Sequence, residues 1–333
     1  MPALLPPAAM VLIAIPNAWG EICTIPNSDS PELGRTFDTR GKTMKKVLLA
    51  TTALALSAGV AYAEVSLSGN ARMGLQSNDG DVSFEKRMTV TMSGSAETTS
   101  GLTLGATMNL RANEGAAAVA SGARVSLATG GVEVAMGNIY GAIDSMPGVY
   151  GASAGLTGLG WGGVLANTAE TGSWGWDSYS SSGNGSEGVE VIYSAGSVTA
   201  HLSYSDSDLG SAADRTAAYV SYAMGDWTIA AGMQDSTDAD EDKTLVTVGG
   251  KVGDFGVGIG YADNGGETKL ALNGSATFGA TTVSMYVADE ESATDNPMGL
   301  GIKHDLGGAS LVGGVARTVD ATTRADIGVS FSF

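Results

Sequence analysis

From Glu64 onward the chain alternates. Val65, Leu67, Ala71, Met73 and Leu75 fall on one phase and Ser66, Ser68, Asn70, Arg72 and Gln76 on the other, the mark of a strand with one apolar and one polar face. The next segments repeat it. Val82, Phe84, Met88, Val90 and Met92 oppose Ser83, Glu85, Arg87, Thr89 and Thr91; Leu102, Leu104, Ala106, Met108 and Leu110 then oppose Thr103, Thr107, Asn109 and Arg111. Carried to the end, the template predicts sixteen strands, at 64–76, 82–94, 101–112, 120–128, 131–138, 188–195, 197–205, 214–224, 226–234, 243–252, 254–262, 267–277, 280–288, 297–305, 308–317 and 322–333.

The links between these segments alternate too. After even-numbered strands come tight turns such as Ala195-Gly196-Ser197, Gly225-Asp226, Gly253-Asp254 and Gly307-Gly308; after odd-numbered strands come longer polar links such as "SDSDLGSAAD", "DSTDADED" and "DEESATDN". A soluble sandwich has no reason to segregate link lengths in this way, and it packs larger aliphatics than the many Ala, Gly and Thr found here. An even strand count, one tight rim, one long acidic rim and apolar side chains outward together predict an all-β fold, a sixteen-stranded antiparallel transmembrane barrel. Outward aromatics near strand ends, among them Phe84, Tyr222, Trp227, Phe255, Tyr261 and Phe331, suit a membrane interface. The chain ends on an amphipathic strand, "TTRADIGVSFSF", whose last residue is Phe333. Such an aromatic end is similar to the signal read by barrel-assembly machinery, and closing this strand onto 64–76 removes an apolar edge.

What precedes Glu64 belongs to export. "MKKVLLATTALALSAGVAYA" has a basic start, Lys45 and Lys46, an apolar run from Val47 to Val60, and small residues at Ala61 and Ala63 flanking the cut. The run is shorter than the ~20 apolar residues that span a bilayer. Residues 44–63 are therefore predicted to be a Sec-type signal cleaved between Ala63 and Glu64, and residues 1–43 an upstream leader or mis-assigned start that lies outside the fold. Removing 63 residues leaves 270 of 333 and takes away Cys23, the only cysteine, with five basic and four acidic residues. The remaining 12 Lys+Arg against 31 Asp+Glu give a net charge of −19. That excludes nucleic acid as a natural partner and leaves stability to a closed hydrogen-bonded surface in place of disulfides.

With the leader, the stretches "EVSLSGNARMGL", "FGATTV", "DLGGASLVGGVA" and "ADIGVSFSF" resemble the general diffusion porins of alphaproteobacteria, as in photosynthetic purple bacteria. The resemblance covers 64–333. It implies a homotrimer in the bacterial outer membrane, in contact with lipid and lipopolysaccharide, that passes ions and small hydrophilic solutes without a cofactor. It also implies that the long third loop folds into the barrel and narrows the pore. The segment between Asn138 and Gly188 fits that loop: it has no sustained period, yet it carries Trp161, Trp174 and Trp176, side chains that are sequestered when they can be.

Arg72, Arg87, Arg111 and Arg124 fall on the polar phase of four successive strands, a pattern expected of a pore wall acting on ions at close range. Asp144 on the loop is the expected opposing charge. The acidic link holding Asp235, Asp238, Asp240, Glu241 and Asp242 offers oxygen ligands for a weakly bound structural calcium, without the spacing of an EF-hand. Catalysis has little to stand on: the two histidines, His201 and His304, are far apart, and there is no G-x-S-x-G elbow or H-E-x-x-H motif. A reading from another class is a non-conducting barrel serving as an adhesin, with the lumen plugged and the long loop outside. The small polar lumen residues favour water instead.

Overall fold

The computed structural model describes residues 63–152, 154–169 and 175–333; the upstream segment, all of the signal but Ala63, and Trp174 lie outside them. The strands are β1 (Ala63–Asn78), β2 (Asp81–Glu97), β3 (Thr103–Asn113), β4 in two pieces (Val119–Ala120 and Arg124–Thr129), β5 (Val132–Asn138), β6 (Glu187–Ala195), β7 (Val198–Ser205) and β8 (Arg215–Met224). They continue as β9 (Trp227–Ser236), β10 (Lys243–Val252), β11 (Phe255–Asn264), β12 (Glu267–Phe278), β13 (Thr281–Glu290), β14 (Met298–Asp305), β15 (Ser310–Arg317) and β16 (Thr323–Ser332). Each pairs antiparallel with the next, and β16 pairs with β1, so the sixteen-stranded sheet closes.

Phase decides what faces out. Val65, Leu67, Met73, Phe84, Val125, Ile259 and Ile302 are all exposed, as are the aromatics Trp227, Phe255, Tyr261 and Phe331. Among the described residues no helix is long and apolar enough to cross a membrane; this chain crosses with strands, whose ladders satisfy every spanning backbone group.

Two links on the long rim are tighter than the alternation of link lengths predicts. β1 and β2 are joined by Asp79 and Gly80 (φ 51° and 97°), and β11 and β12 by Gly265 and Gly266 (φ 63° and 97°). Two consecutive positive φ values make a two-residue hairpin whose twist matches its strands, which is why Asp-Gly and Gly-Gly stand there. β4 is split where Ser121 and Gly122 turn toward the long loop, with Gly122 N–H donating to the Gly183 carbonyl at 2.8 Å.

The seam between first and last strands reaches the final residue. Gly69 N–H donates to the Phe333 carbonyl (2.7 Å), Phe333 N–H donates to the Gly69 carbonyl (3.0 Å), and the Phe333 ring lies so close over Gly69 that a Cβ there would sit 2.6 Å from it. Replacing Phe333 with Asp puts a carboxylate on the lipid side of this seam. Export to the periplasm should continue while the yield of inserted, heat-resistant barrel drops several-fold in outer-membrane fractions; a normal yield would show that the aromatic end is dispensable.

Candidate functional site: the long loop and the arginine wall

The described residues of the connection between β5 and β6 (139–152, 154–169 and 175–186) pack on the polar face of the closed sheet, and therefore inside it. The contacts run around the wall. Ala142 N–H donates to Ser203 Oγ (2.9 Å), Thr247 Oγ1 to the Pro147 carbonyl (2.5 Å) and Asn264 Nδ2 to the Leu165 carbonyl (3.2 Å). Lys269 Nζ donates to the Asn167 carbonyl (2.6 Å), and Tyr286 OH to the Leu159 carbonyl (2.7 Å).

Buried carboxylates fix the turns of the loop by accepting its backbone N–H groups. Glu190, 1% exposed, takes Tyr140 N–H (3.0 Å) and Gly141 N–H (3.1 Å). Asp326 takes Leu156 N–H (2.8 Å) and Thr157 N–H (2.7 Å), with the Thr157 hydroxyl at 2.7 Å. Glu290, paired with Lys269 at 2.8 Å, takes Ala169 N–H. Charge-assisted bonds of this kind are stronger than neutral ones.

Between these anchors lies an apolar seat. Ile143, Met146, Val149, Val164, Leu165 and Trp176 of the loop bury against Ala217, Tyr219, Ala230, Leu245, Ala262, Ala271 and Ala288, all inward-facing strand residues. Elsewhere the loop backbone itself comes close to the wall: a Cβ at Gly314 of β15 would lie 2.7 Å from Gly155 N.

The arginines of β1 to β3 stand in the stretch of wall this seat leaves uncovered. Arg72 and Arg87 are direct cross-strand partners, and Arg111 stands opposite Thr89, one diagonal from Arg87. Arg72 donates from Nε to Glu85 Oε1 (2.6 Å) and from Nη1 to the Leu156 carbonyl (2.6 Å). Arg87 donates to Asn113 Oδ1 (2.9 Å), and Arg111 to Thr89 Oγ1 (3.3 Å) and Ser181 Oγ. The partners of Arg87 and Arg111 are thus neutral.

Arg124 does not join them. It is 4% exposed, donates to Glu190 Oε1 (2.7 Å) and Glu133 Oε1 (2.6 Å), and stacks 3.9 Å over the Tyr140 ring. Its phase places it correctly on the inner face, but the two glutamates and the root of the loop enclose it, so its charge serves the anchor and not the pore. His201 completes this network through Nε2, 2.9 Å from Glu190 Oε2.

Asp144 lies in a short helical turn, Ala142–Ser145. Its carboxylate accepts from Tyr150 OH (2.5 Å) and Trp176 Nε1 (3.0 Å). Burial raises its pKa, against the effect of those two bonds, so its charge is lost at a higher pH than that of a solvated aspartate as the medium is acidified.

Most carboxylates of the acidic link are bonded within the fold. Asp235 ends on β9, Glu241 is held by Arg215 through two 2.7 Å bonds, Asp242 accepts Ser236 N–H (2.8 Å), and Asp238 accepts Asp240 N–H (3.3 Å). Among the described residues no group of three or more His, Cys, Asp or Glu is placed to hold a metal ion. The carboxylates serve the turn and Arg215 instead.

A closed barrel with an apolar exterior, a polar interior and an inner loop defines a transmembrane channel protein of the outer-membrane type. Comparison with known proteins agrees: a profile of the Gram-negative porin family matches residues 50–323, and the chain belongs to that family. Porins of Fuscovulum blasticum (30% identical over 298 residues) and Rhodobacter capsulatus (31% over 309) each match 81% of this chain over their full length. A solved variant of Rh. blastica porin superposes with a TM-score of 0.70 at 26% identity, covering 81% of this chain and all of its own; a second, more heavily substituted variant gives 0.71. The protein forms a water-filled channel for passive diffusion of ions and small hydrophilic solutes across the outer membrane.

Proposed function

We propose that permeation is selected by charge at the wall formed by Arg72, Arg87 and Arg111, with the long loop as the facing side. The observation that carries this is the pairing state of the three. Glu85 compensates Arg72, whereas Arg87 and Arg111 bond only to neutral oxygens, so two positive charges act on whatever passes. The channel favours small anions at this point although the chain as a whole is strongly acidic. Reversal potentials under a salt gradient, for the pair Arg87→Gln and Arg111→Gln, test the assignment.

The assembly we infer is a homotrimer embedded in lipid and lipopolysaccharide and inserted by the barrel-assembly machinery through its Phe333 end, as the likeness to diffusion porins implies. Its work is transport and not catalysis: His201 is spent on the loop anchor, and His304 bonds to Thr281 at an exposed site. Residues 44–63 act as a cleaved signal. Cleavage between Ala63 and Glu64 falls at the first residues of β1, and the 81% of 333 residues shared with the relatives is about 270, the length of 64–333. Native mass spectrometry of protein extracted from outer membranes should give a subunit beginning at Glu64 and an assembly of three; a subunit retaining residues 1–43, or a stable monomer, overturns these two assignments.

A further inference from the structure

On the long-link side of the barrel, a cavity of about 630 Å³ opens between the loop and the wall made by β1, β2, β13, β15 and β16. This is within the ~300–1,000 Å³ of small-molecule sites. Two aromatic rings line it, Tyr286 and Trp161. Trp161 is stacked on Trp176 with ring centroids 5.8 Å apart and planes at 21°, which fixes the orientation of the indole.

Around it stand amides and hydroxyls, including Gln76, Asn78, Ser83 and Thr318, with one acid, Asp320, and one base, Arg324. Asp320 is bonded by the Thr318 and Thr322 hydroxyls and Arg324 by Asn78 Oδ1 at 3.2 Å, so the site is neutral in sum and its charges are already engaged. Another lining residue, Ser292, has its hydroxyl oxygen buried with no hydrogen-bond partner. A buried polar atom left unpaired is uncommon and calls for a ligand or water.

From this geometry we infer that the cavity is a binding subsite for a neutral sugar of about disaccharide size, occupied during passage through the channel. A pyranose ring presents an apolar C–H face and a rim of hydroxyls. The face matches the fixed indole of Trp161, and the rim matches the amides and the Ser292 hydroxyl. An anion gains nothing from the indole face, whose quadrupole repels it, and an apolar solute leaves the polar rim unpaired. The inference rests on the channel activity and adds to it a substrate class that the arginine wall does not select.

The test uses the full assembly in a planar bilayer with maltose added on the long-link side, and a polyethylene glycol of equal hydrodynamic size as the control for simple obstruction. Maltose should reduce the current saturably, and the glycol only linearly. Trp161→Ala should weaken the apparent affinity about tenfold, the scale of a lost aromatic contact, and Ser292→Ala should weaken it several-fold while leaving the sugar-free conductance unchanged, because that hydroxyl makes no bond within the fold. Since Trp161 also packs against the loop core, Ser292→Ala decides the matter if Trp161→Ala alters the sugar-free current. A linear maltose effect equal to that of the glycol, or saturation that survives both substitutions, overturns the subsite, while normal ion conductance in the same bilayers keeps the channel itself out of question.

Discussion

Excising residues 142–176 and rejoining the ends with a short glycine linker should raise single-channel conductance several-fold and admit larger sugars. The segment carries the apolar layer that fills one side of the lumen, and nothing else in the described structure occupies that volume. The same excision should lower thermal stability. Leu245, fully buried under the loop, and Tyr219 would face water, at about 1.5–3 kcal/mol for each large side chain uncovered. Asp326 and Glu290 would also lose the backbone donors they accept.

A control separates filling from charge. Glu190→Gln keeps the apolar seat intact but leaves Arg124 with one glutamate, and loss of one partner from a buried pair costs ~3–5 kcal/mol. It should therefore weaken the barrel with little change in conductance. Conductance left unchanged by the excision would mean that the loop does not narrow the pore.

That seat was written into the chain, but not in a form that local pattern reveals. Alternation needs only neighbours two residues apart, so the strands, their phase and the closing pair β1 and β16 were legible. Whether an inward residue meets water or protein depends instead on where a 48-residue connection folds, and no period reports that. The signal present is negative: Ala217, Ala230, Leu245, Ala262, Ala271 and Ala288 occupy the phase that a water-lined wall would give to polar side chains. Taken together they mark the docking surface.

The same blindness explains Arg124, whose phase resembles that of Arg72, Arg87 and Arg111. Its partners Glu133 and Glu190 stand on two other strands, one beyond the long loop, and their convergence depends on that loop. The calcium expectation meets a related limit. Acidic density in a link says nothing of where each carboxylate points, and here Arg215, from across the link, claims Glu241. The two-residue turns on the long rim were readable in principle, since Asp79-Gly80 and Gly265-Gly266 are both hairpin dipeptides, but the longer links elsewhere on that rim drew the expectation away from them.

Replacing both Arg87 and Arg111 with Gln should turn the selectivity of the channel toward cations. Each unit charge ~7 Å from the permeation path contributes ~0.6 kcal/mol even at the dielectric constant of water. That is close to RT, so one charge multiplies the local anion concentration by about e and divides that of cations by as much. Two such charges, allowing for screening, shift the cation-to-anion permeability ratio by on the order of tenfold at 0.1 M salt, where the Debye length is ~10 Å, and by far less at 1 M, where it is ~3 Å. Arg72→Gln should also move the ratio toward cations, because it leaves Glu85 uncompensated, and it should lower stability as well, because it releases the Leu156 carbonyl of the loop. Arg124→Gln should leave selectivity nearly unchanged while lowering stability, because the side chain is buried at the root of the loop, away from the pore, and its loss strips Glu133 and Glu190 of their shared partner. Asp144→Asn should oppose the Arg87 and Arg111 effect, weakly and only above the raised pKa of that buried carboxyl; below it the aspartate is already neutral and the substitution changes nothing. Reversal potentials measured for these variants across a tenfold salt gradient, at low and at high mean salt, decide between a wall of two acting charges and a wall of four. Equal shifts from Arg124→Gln and Arg87→Gln would refute the assignment of the pore charge to Arg87 and Arg111.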